Sequence, residues 1–462
     1  MSQSEPHCCE IAIVGGGCSG ALAAVHLLTN GFRGRLTVIE PRDRLGAGLA
    51  YSTSFDQHLL NVPAGKMSAF PNQPGHFLEW LRAGHLPGAT ADSFAPRGLF
   101  GEYVRDVLQQ RIQAGIGRFF SHIRAEAIGL SMDARGARLA LKEGGTVHAK
   151  RVVLALGNPA SSSTPVPKQG AQEGWYLSPW LGEALRVRFA GERILVVGTG
   201  LTAVDSVLAL QSQDKPCEIF MLSRRGVLAQ AHALQVAPGR APSLKNRGNL
   251  RLMFRELREQ LDVARRSDLC WRTVVDALRP ISNELWQELP LADKRRFLRH
   301  LKRYWDSHRH RMAPTIHARL NQYRESGALQ IIAGRIQEVS PQDGAHRVRI
   351  LLKHGGERGL AVDRILSCTG IHESYTDSPR PLIRNLVESG LARPNDLGMG
   401  FRTDQHGALL NAVGRPSSVL FTLGPPRRGE LFETTAVPEI RAQAEALAIH
   451  LAERIPVFAA SG

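Results

Sequence analysis

Three glycines supply the first recognisable chemistry. Gly15, Gly17 and Gly20 stand in the spacing G-x-G-x-x-G. One such glycine permits a tight turn, one lets backbone approach a phosphate, and one lets a helix pack close against a strand. The anion then rests on free N–H groups at the helix N-terminus, where Ser19 also lies. The partner group is Glu40, about twenty residues further on, where a carboxylate suits a ribose 2′-hydroxyl. This chemistry requires a strand, a turn, a helix and a second strand, in that order. Ile11 to Val14 is a short apolar run, Ala21 to Leu28 is a small-residue helix, and Leu36 to Ile39 is an apolar strand ending at the acid.

The constellation restarts in mid-chain. Arg193 to Val197 reads as a strand, and Gly198-Thr199-Gly200-Leu201-Thr202-Ala203 is the G-x-G-x-x-A variant of the same fingerprint. A helix over Ala203 to Leu210 and a strand over Glu218 to Leu222 follow. This strand ends in Ser223-Arg224-Arg225, where an arginine accommodates a 2′-phosphate. Two fingerprints imply two dinucleotides, or one dinucleotide and one degenerate site. The first, with its acid, suits FAD. The second suits NAD(P)H and leans towards NADPH through Arg224, the bland alternative being two solvated loop charges.

Other stretches must complete such a site. The loop from Ser54 to Phe70 carries His58, Leu59, Leu60, Asn61 and Met67, a mix suited to a flat ring or to one core-facing stripe. Two further apolar strands exit into glycine, Val152 to Gly157-Asn158-Pro159 and Arg364 to Cys368-Thr369-Gly370. Gly75 to Leu81 and Gly101 to Ile112 have helical spacing, and Ile123 to Lys150 alternates in short runs as a small antiparallel excursion. Thr434 or Thr435, ahead of Val437-Pro438, is expected to cap a helix over Ile440 to Leu451. Its N-terminus suits the electron-rich edge of a flavin.

From Asn249 to Arg324 the chain is helical and Arg-rich. Arg255, Arg258, Arg265, Arg266, Arg295, Arg296, Arg299 and Arg303 fall on polar faces and are expected mostly in solvent. His308 and His310 form an H-x-H pair. Positions i and i+2 diverge on a helix and no third ligand is near, so no metal is expected. Substrate contact and exposed helix end both stay open for this stretch.

The 462 residues exceed one core. Hydrophobic content of 43% and charged content of 22% are ordinary for a globular protein. No apolar run reaches the ~20 residues of a membrane span, and the first residues lack the basic-then-apolar form of a signal peptide. Six scattered cysteines without C-x-x-C suit reduced thiols and a cytoplasmic setting, and disfavour a disulfide reductase. The net charge of +16 comes mostly from dispersed arginines. An anionic nucleotide or substrate accounts for it, so neither nucleic acid nor membrane is expected as a partner.

The layout resembles the two-dinucleotide flavoprotein superfamily, whose A-T-G linkers are similar to Ala155-Leu156-Gly157 and Cys368-Thr369-Gly370, with Leu156 departing from the pattern. Gly48-Leu49-Ala50-Tyr51-Ser52, His58-Leu59-Leu60-Asn61-Val62, Met67, and Trp305 with His308-Arg309-His310-Arg311 resemble a bacterial family of FAD/NAD(P)-binding proteins. That family includes FAD-dependent urate hydroxylases and aspartate N-monooxygenases. The resemblance implies an α/β fold with two Rossmann-like dinucleotide-binding domains and a helical insertion. The FAD domain would comprise residues 1–160 and 365–462. The NAD(P)H domain would comprise 161–364, with the insertion at about 241–325. It also implies an oxygenase consuming NAD(P)H and O2, with urate conversion to 5-hydroxyisourate as the sharpest expectation. N-hydroxylation of an amino acid or electron transfer to another acceptor are the alternatives. Such chemistry needs no acid–base dyad of fixed spacing. Substrate contacts are expected from His232, His308, Arg311 and Glu433.

Overall fold

The computed structural model describes residues 7–116, 119–158, 176–177, 189, 191–212, 215–233, 236, 239, 241–342, 344–370 and 374–453. Pro159, at the end of the first exit motif, and the residues before His7 lie outside this set. Strand β1 (His7–Val14) feeds α1 (Cys18–Thr29) and the chain returns as β2 (Leu36–Ile39). Helices α2 (His76–Gly84) and α3 (Arg97–Arg111) precede β3 (Phe120–Ile123). The antiparallel excursion is β4 (Ala127–Asp133), β5 (Gly136–Leu141) and the start of β6 (Thr146–Leu154).

The second unit begins with β7 (Tyr176–Leu177), β8 (Arg193–Val197), α4 (Leu201–Gln211) and β9 (Glu218–Ser223). The helical stretch follows as α5 (Leu250–Arg266), α6 (Trp271–Ala277), α7 (Ser282–Glu288), α8 (Leu291–Arg296), α9 (Lys302–Arg309) and α10 (Pro314–Glu325). The sheet resumes with β10 (Leu329–Gln342), β11 (Ala345–Leu352), β12 (Glu357–Val362) and β13 (Arg364–Ser367). The chain ends through α11 (Pro381–Glu388), β14 (Ala408–Leu410), β15 (Pro416–Thr422) and α12 (Val437–Ala452).

These strands form two sheets, one ordered β14-β15-β6-β1-β2-β3 with β4 and β5 appended, the other β12-β11-β10-β9-β8-β13-β7. Both are mixed sheets with a parallel centre flanked by helices, so the class is α/β. In the first, Val14 lies opposite Ile39 and Leu154, and Leu154 opposite Thr422. The C-terminal ends of four parallel strands therefore align at one edge, the edge where open α/β sheets bind ligands. In the second, Val197 lies opposite Leu222 and Ser367, so the same device repeats. Strands from both ends of the chain share the first sheet. The expected boundary between residues 364 and 365 falls inside β13, which pairs with β8, so the second sheet runs to Ser367.

Helix α1 is buried on every side apart from Thr29. Its alanines and leucines pack between the first sheet, α3 and α12, as an apolar helix must. The long strand β10 carries a bulge between Ile336 and Glu338. Bulges re-aim a strand without ending it. Thr434 and Thr435 do not cap α12. The N-cap is Ala436, with no side-chain cap bond and Pro438 in the first turn.

Candidate dinucleotide sites and their junction

At the first aligned edge, Gly15 takes φ +100° and its N–H donates to the Ile39 carbonyl. A Cβ added there would lie 2.4 Å from the Ala155 carbonyl oxygen, and one added at Gly20 would lie 1.8 Å from the Gly15 oxygen. Gly17 is the N-cap of α1 and faces Gly48, whose Cα is 3.1 Å from a Cβ placed at 17. Ser19 is in the first helical turn, which carries no acidic residue. Glu40 is buried at the end of β2. Its carboxylate accepts from the Gly16 N–H at 2.9 Å and the Arg42 N–H at 3.2 Å.

The other chain end closes on this edge. Thr434, fully buried, donates to the Gly424 carbonyl at 2.9 Å and accepts from Gln443. Gln443 in turn accepts from the Gly424 N–H. Gly424 lies against Ser19, so the N-termini of α1 and α12 meet. Thr435 is exposed. Gly157, at the first exit, has φ +61° with open space where a Cβ would stand. Met67 is buried in the core around α1.

The second edge repeats the first. Gly198 takes φ +127°, and a Cβ there would lie 2.3 Å from the Cys368 oxygen. Gly200 is the N-cap of α4, with nothing within 4 Å of its missing Cβ, and the same holds for Gly370. Thr202 follows in the first turn, its carbonyl accepting from Ser206. Arg224 is exposed at the end of β9. Arg225 instead donates to the His300 carbonyl and stacks over Tyr304. Arg303, expected in solvent, is turned inward. It donates to the Thr199 carbonyl and hydroxyl, at 2.8 and 2.7 Å, and to the Val227 carbonyl. It thus ties α9 to the fingerprint turn.

The loop read as suited to a flat ring also staples the two units together. His58 is buried, and burial lowers its pKa. Its Nε2 donates to the Asp205 carbonyl in α4 at 2.9 Å, leaving Nδ1 to accept from Thr53. The Asp205 carboxylate receives both arms of Arg97, at 2.6 and 3.3 Å. Asn61 carries the junction further, its carbonyl accepting from His232 Nε2 at 3.0 Å. Burial pushes the His232 pKa down to about 4, so the ring is neutral.

Arg311, Asp276 and Lys66 surround His232 electrostatically. Arg311 is 4% exposed. One nitrogen pairs with Asp276, while Nε and Nη1 find no partner among the described residues. Asn61, His232 and Arg311 are therefore brought together at the junction. Glu433 and His308 are not. Glu433 is buried and both its oxygens are taken by Arg309, at 2.9 and 3.3 Å. Burial raises its pKa against the opposing pull of Arg309. Asn283 clamps the backbone on either side of it. His308 bonds its own helix through the Tyr304 carbonyl and sits edge-on to Trp271. Among the described residues no cluster of three His, Cys, Asp or Glu could hold a metal. No described helix is long and apolar enough to cross a membrane.

The chemistry of these two edges fits dinucleotides. Closing glycines hold the turns, while Gly200 leaves open space at the α4 N-terminus and Gly157 and Gly370 leave it at the two strand exits. Residues 12–159 match the family described as FAD-NAD(P)-binding. The segment is a FAD/NAD(P)-binding domain. The uncharacterized protein YdhS of Escherichia coli K12 is 24% identical over 256 residues, which spans 48% of this chain and 46% of that protein. The ornithine hydroxylase PvdA of Pseudomonas aeruginosa superposes with a TM-score of 0.65 at 13% identity, covering 96% of this chain and 99% of that one. The L-lysine 6-monooxygenase of Pseudomonas syringae gives 0.64 at 14%, covering 97% and 100%. The chain shares the fold of these two enzymes.

Proposed function

We propose that the protein is an FAD-dependent monooxygenase that consumes NAD(P)H and O2 and hydroxylates a small anionic substrate, the amine of an amino acid first among them. Arg311 carries the substrate class. It is a buried cation with two nitrogens, Nε and Nη1, that have no acceptor among the described residues, beside a neutral histidine. Such groups are costly unless an acceptor arrives, and a carboxylate is the acceptor a guanidinium matches best. An ornithine N-hydroxylase of Kutzneria has the same fold, which favours nitrogen as the oxygen acceptor.

FAD, once reduced, would supply the electrons that activate O2. The chain's own residues do the positioning. Gly15, Gly17 and Ser19 would hold one pyrophosphate at the α1 N-terminus, with Glu40 on the ribose. Gly198, Gly200 and Thr202 would hold the second, with Arg224 on a 2′-phosphate. His232 keeps the Asn61 loop against the second unit, and being neutral it leaves Arg311 uncompensated on that side. Urate, a planar anion, meets the same arginine and is the second substrate to test.

The decisive experiment follows NADPH oxidation by the yellow holoprotein under air, with an amino-acid panel and with urate, and analyses products by mass spectrometry. Coupled oxidation with a product one oxygen heavier is expected for one compound. If no compound exceeds the uncoupled rate and no oxygenated product forms, the reading fails.

A further inference from the structure

The two units repeat closely enough to be compared residue by residue. Gly15 donates its N–H to the Ile39 carbonyl, and Gly198 donates its own to that of Leu222. Ile39 and Leu222 therefore hold the same place in their sheets. The positions after them correspond in turn, Glu40 with Ser223 and Arg42 with Arg225.

In the first unit this place holds an anion with a cation beside it. The Glu40 carboxylate accepts from the Gly16 N–H, and Arg42 Nε lies 3.6 Å from it. In the second unit the carboxylate is replaced by a hydroxyl. Ser223 Oγ lies 3.0 Å from the Thr199 hydroxyl and accepts from the Gly226 N–H at 3.0 Å. Arg225 meets no carboxylate among the described residues; its contacts are to a carbonyl and a ring. A serine at this place removes the charge that would repel a ribose 2′-phosphate, and the cation is kept.

The helical insertion holds that cation. Between α8 and α9 the helix widens into a π-turn over Phe297–Leu301, a feature that recurs at functional sites. The carbonyl of His300, in this turn, accepts from Arg225 Nη1 at 2.9 Å. Tyr304 lies four residues on, on the same helix face, and its ring centroid is 4.8 Å from the Arg225 guanidinium. The carbonyl uses one of five N–H groups, which leaves donors for phosphate oxygens. Tyr304 is 44% exposed and Arg225 half-buried, so the pair stands at the surface and not in the core. On the same helix Arg303 holds the fingerprint turn through Thr199. Helix α9 is thus fixed to both sides of the second nucleotide site.

We propose that the helical insertion sets the nucleotide preference: Tyr304 is a positioning residue that holds Arg225 for the 2′-phosphate of NADPH beside Ser223. This role rests on the second fingerprint being the NADPH site. It brings in a residue more than a hundred positions from the fingerprint glycines, which no dinucleotide spacing contains.

Adenosine 2′,5′-bisphosphate and 5′-AMP, which differ only in the 2′-phosphate, are titrated into the FAD-loaded protein by calorimetry. The wild-type protein is expected to bind the bisphosphate about tenfold more tightly. Arg225→Ala should remove most of that preference. Tyr304→Leu should lower it about threefold with the 5′-AMP affinity unchanged, and Tyr304→Phe, which keeps the ring, should retain it. Adding Tyr304→Leu to Arg225→Ala should change nothing further. Ser223→Asp restores the anion and should abolish the preference, because Arg225 then meets a carboxylate as Arg42 does. Five results would overturn the role: no preference in the wild-type protein, a preference that survives Tyr304→Leu or Ser223→Asp in full, equal weakening of both nucleotides by Tyr304→Leu, a loss as large in Tyr304→Phe, or a Tyr304 effect that persists without Arg225. The assay measures binding without turnover, so its failure leaves the oxygenation proposal standing.

Discussion

Gly198 and Gly200 occupy one turn, yet replacing each with alanine should do opposite things. At Gly198 the backbone is at φ +127°, and the new Cβ would sit 2.3 Å from the Cys368 oxygen. The conformation alone costs about 1–3 kcal/mol in a residue with a Cβ. Moving the β13 exit to relieve the contact adds about 1–3 kcal/mol more. Gly198→Ala should therefore cost roughly 2–6 kcal/mol, or on the order of 5–20 °C in the midpoint of the second unit. Gly200 is at φ −83°, ψ −179°, extended backbone that any residue adopts, and its Cβ would meet nothing. Gly200→Ala loses about 0.5–1 kcal/mol as a helix cap and regains about 0.4–1 kcal/mol from the stiffer unfolded chain, so the midpoint should move by no more than about 2 °C. Its cost should appear in the cofactor, because the methyl stands where a pyrophosphate would approach the α4 N-terminus. The assay pairs thermal unfolding with the KM for NADPH and with retained FAD as an internal control. If Gly200→Ala destabilises as much as Gly198→Ala, or if it leaves the KM for NADPH unchanged, the distinction between closing and open glycines is wrong.

Arg224→Ala should raise the KM for NADPH and leave that for NADH unaltered; equal effects on the two would remove the 2′-phosphate role. Arg309→Met should strand the buried Glu433 carboxylate and cost about 3–5 kcal/mol in urea unfolding, with much of it recovered in the double variant that adds Glu433→Gln. The His232 pKa of about 4 lies below its ordinary 6.5, so between those values the unfolded chain binds the extra proton. Stability should then rise with pH across that window, by about 3 kcal/mol, and His232→Gln should flatten that part of the profile. Asp205→Asn keeps the backbone carbonyl that His58 uses but weakens the Arg97 bridge. Limited proteolysis of the 53–61 loop should accelerate, and unchanged cleavage would show that the staple does not hold the two units.

What could be read in the sequence is what the chain encodes locally. A strand period, a glycine spacing and an apolar helix lie within thirty residues of one another, so both fingerprints and the α/β class follow from neighbours. The caps at Thr434 and Thr435 were misread even so. Thr434 spends its hydroxyl on Gly424 and Gln443, a choice made by tertiary contact over local propensity. The junction depends on such contacts throughout. Arg97 meets Asp205 across 108 positions, Arg309 meets Glu433 across 124, and His232 meets Asn61 across 171. Helical period alone placed Arg303 and Arg309 with the solvated arginines or beside a substrate. One ties a fingerprint turn and the other neutralises Glu433. Arg309 and Arg311 are two positions apart, so one turns to Glu433 and the other to Asp276 at the junction. Of four charged or titratable candidates, the pairing of Arg309 removes Glu433, the helix's own carbonyl occupies His308, and Arg311 remains with N–H groups to spare beside His232. The substrate class therefore rests on which arginine keeps N–H groups without an acceptor, a property of the assembled fold that residue types and spacing do not carry.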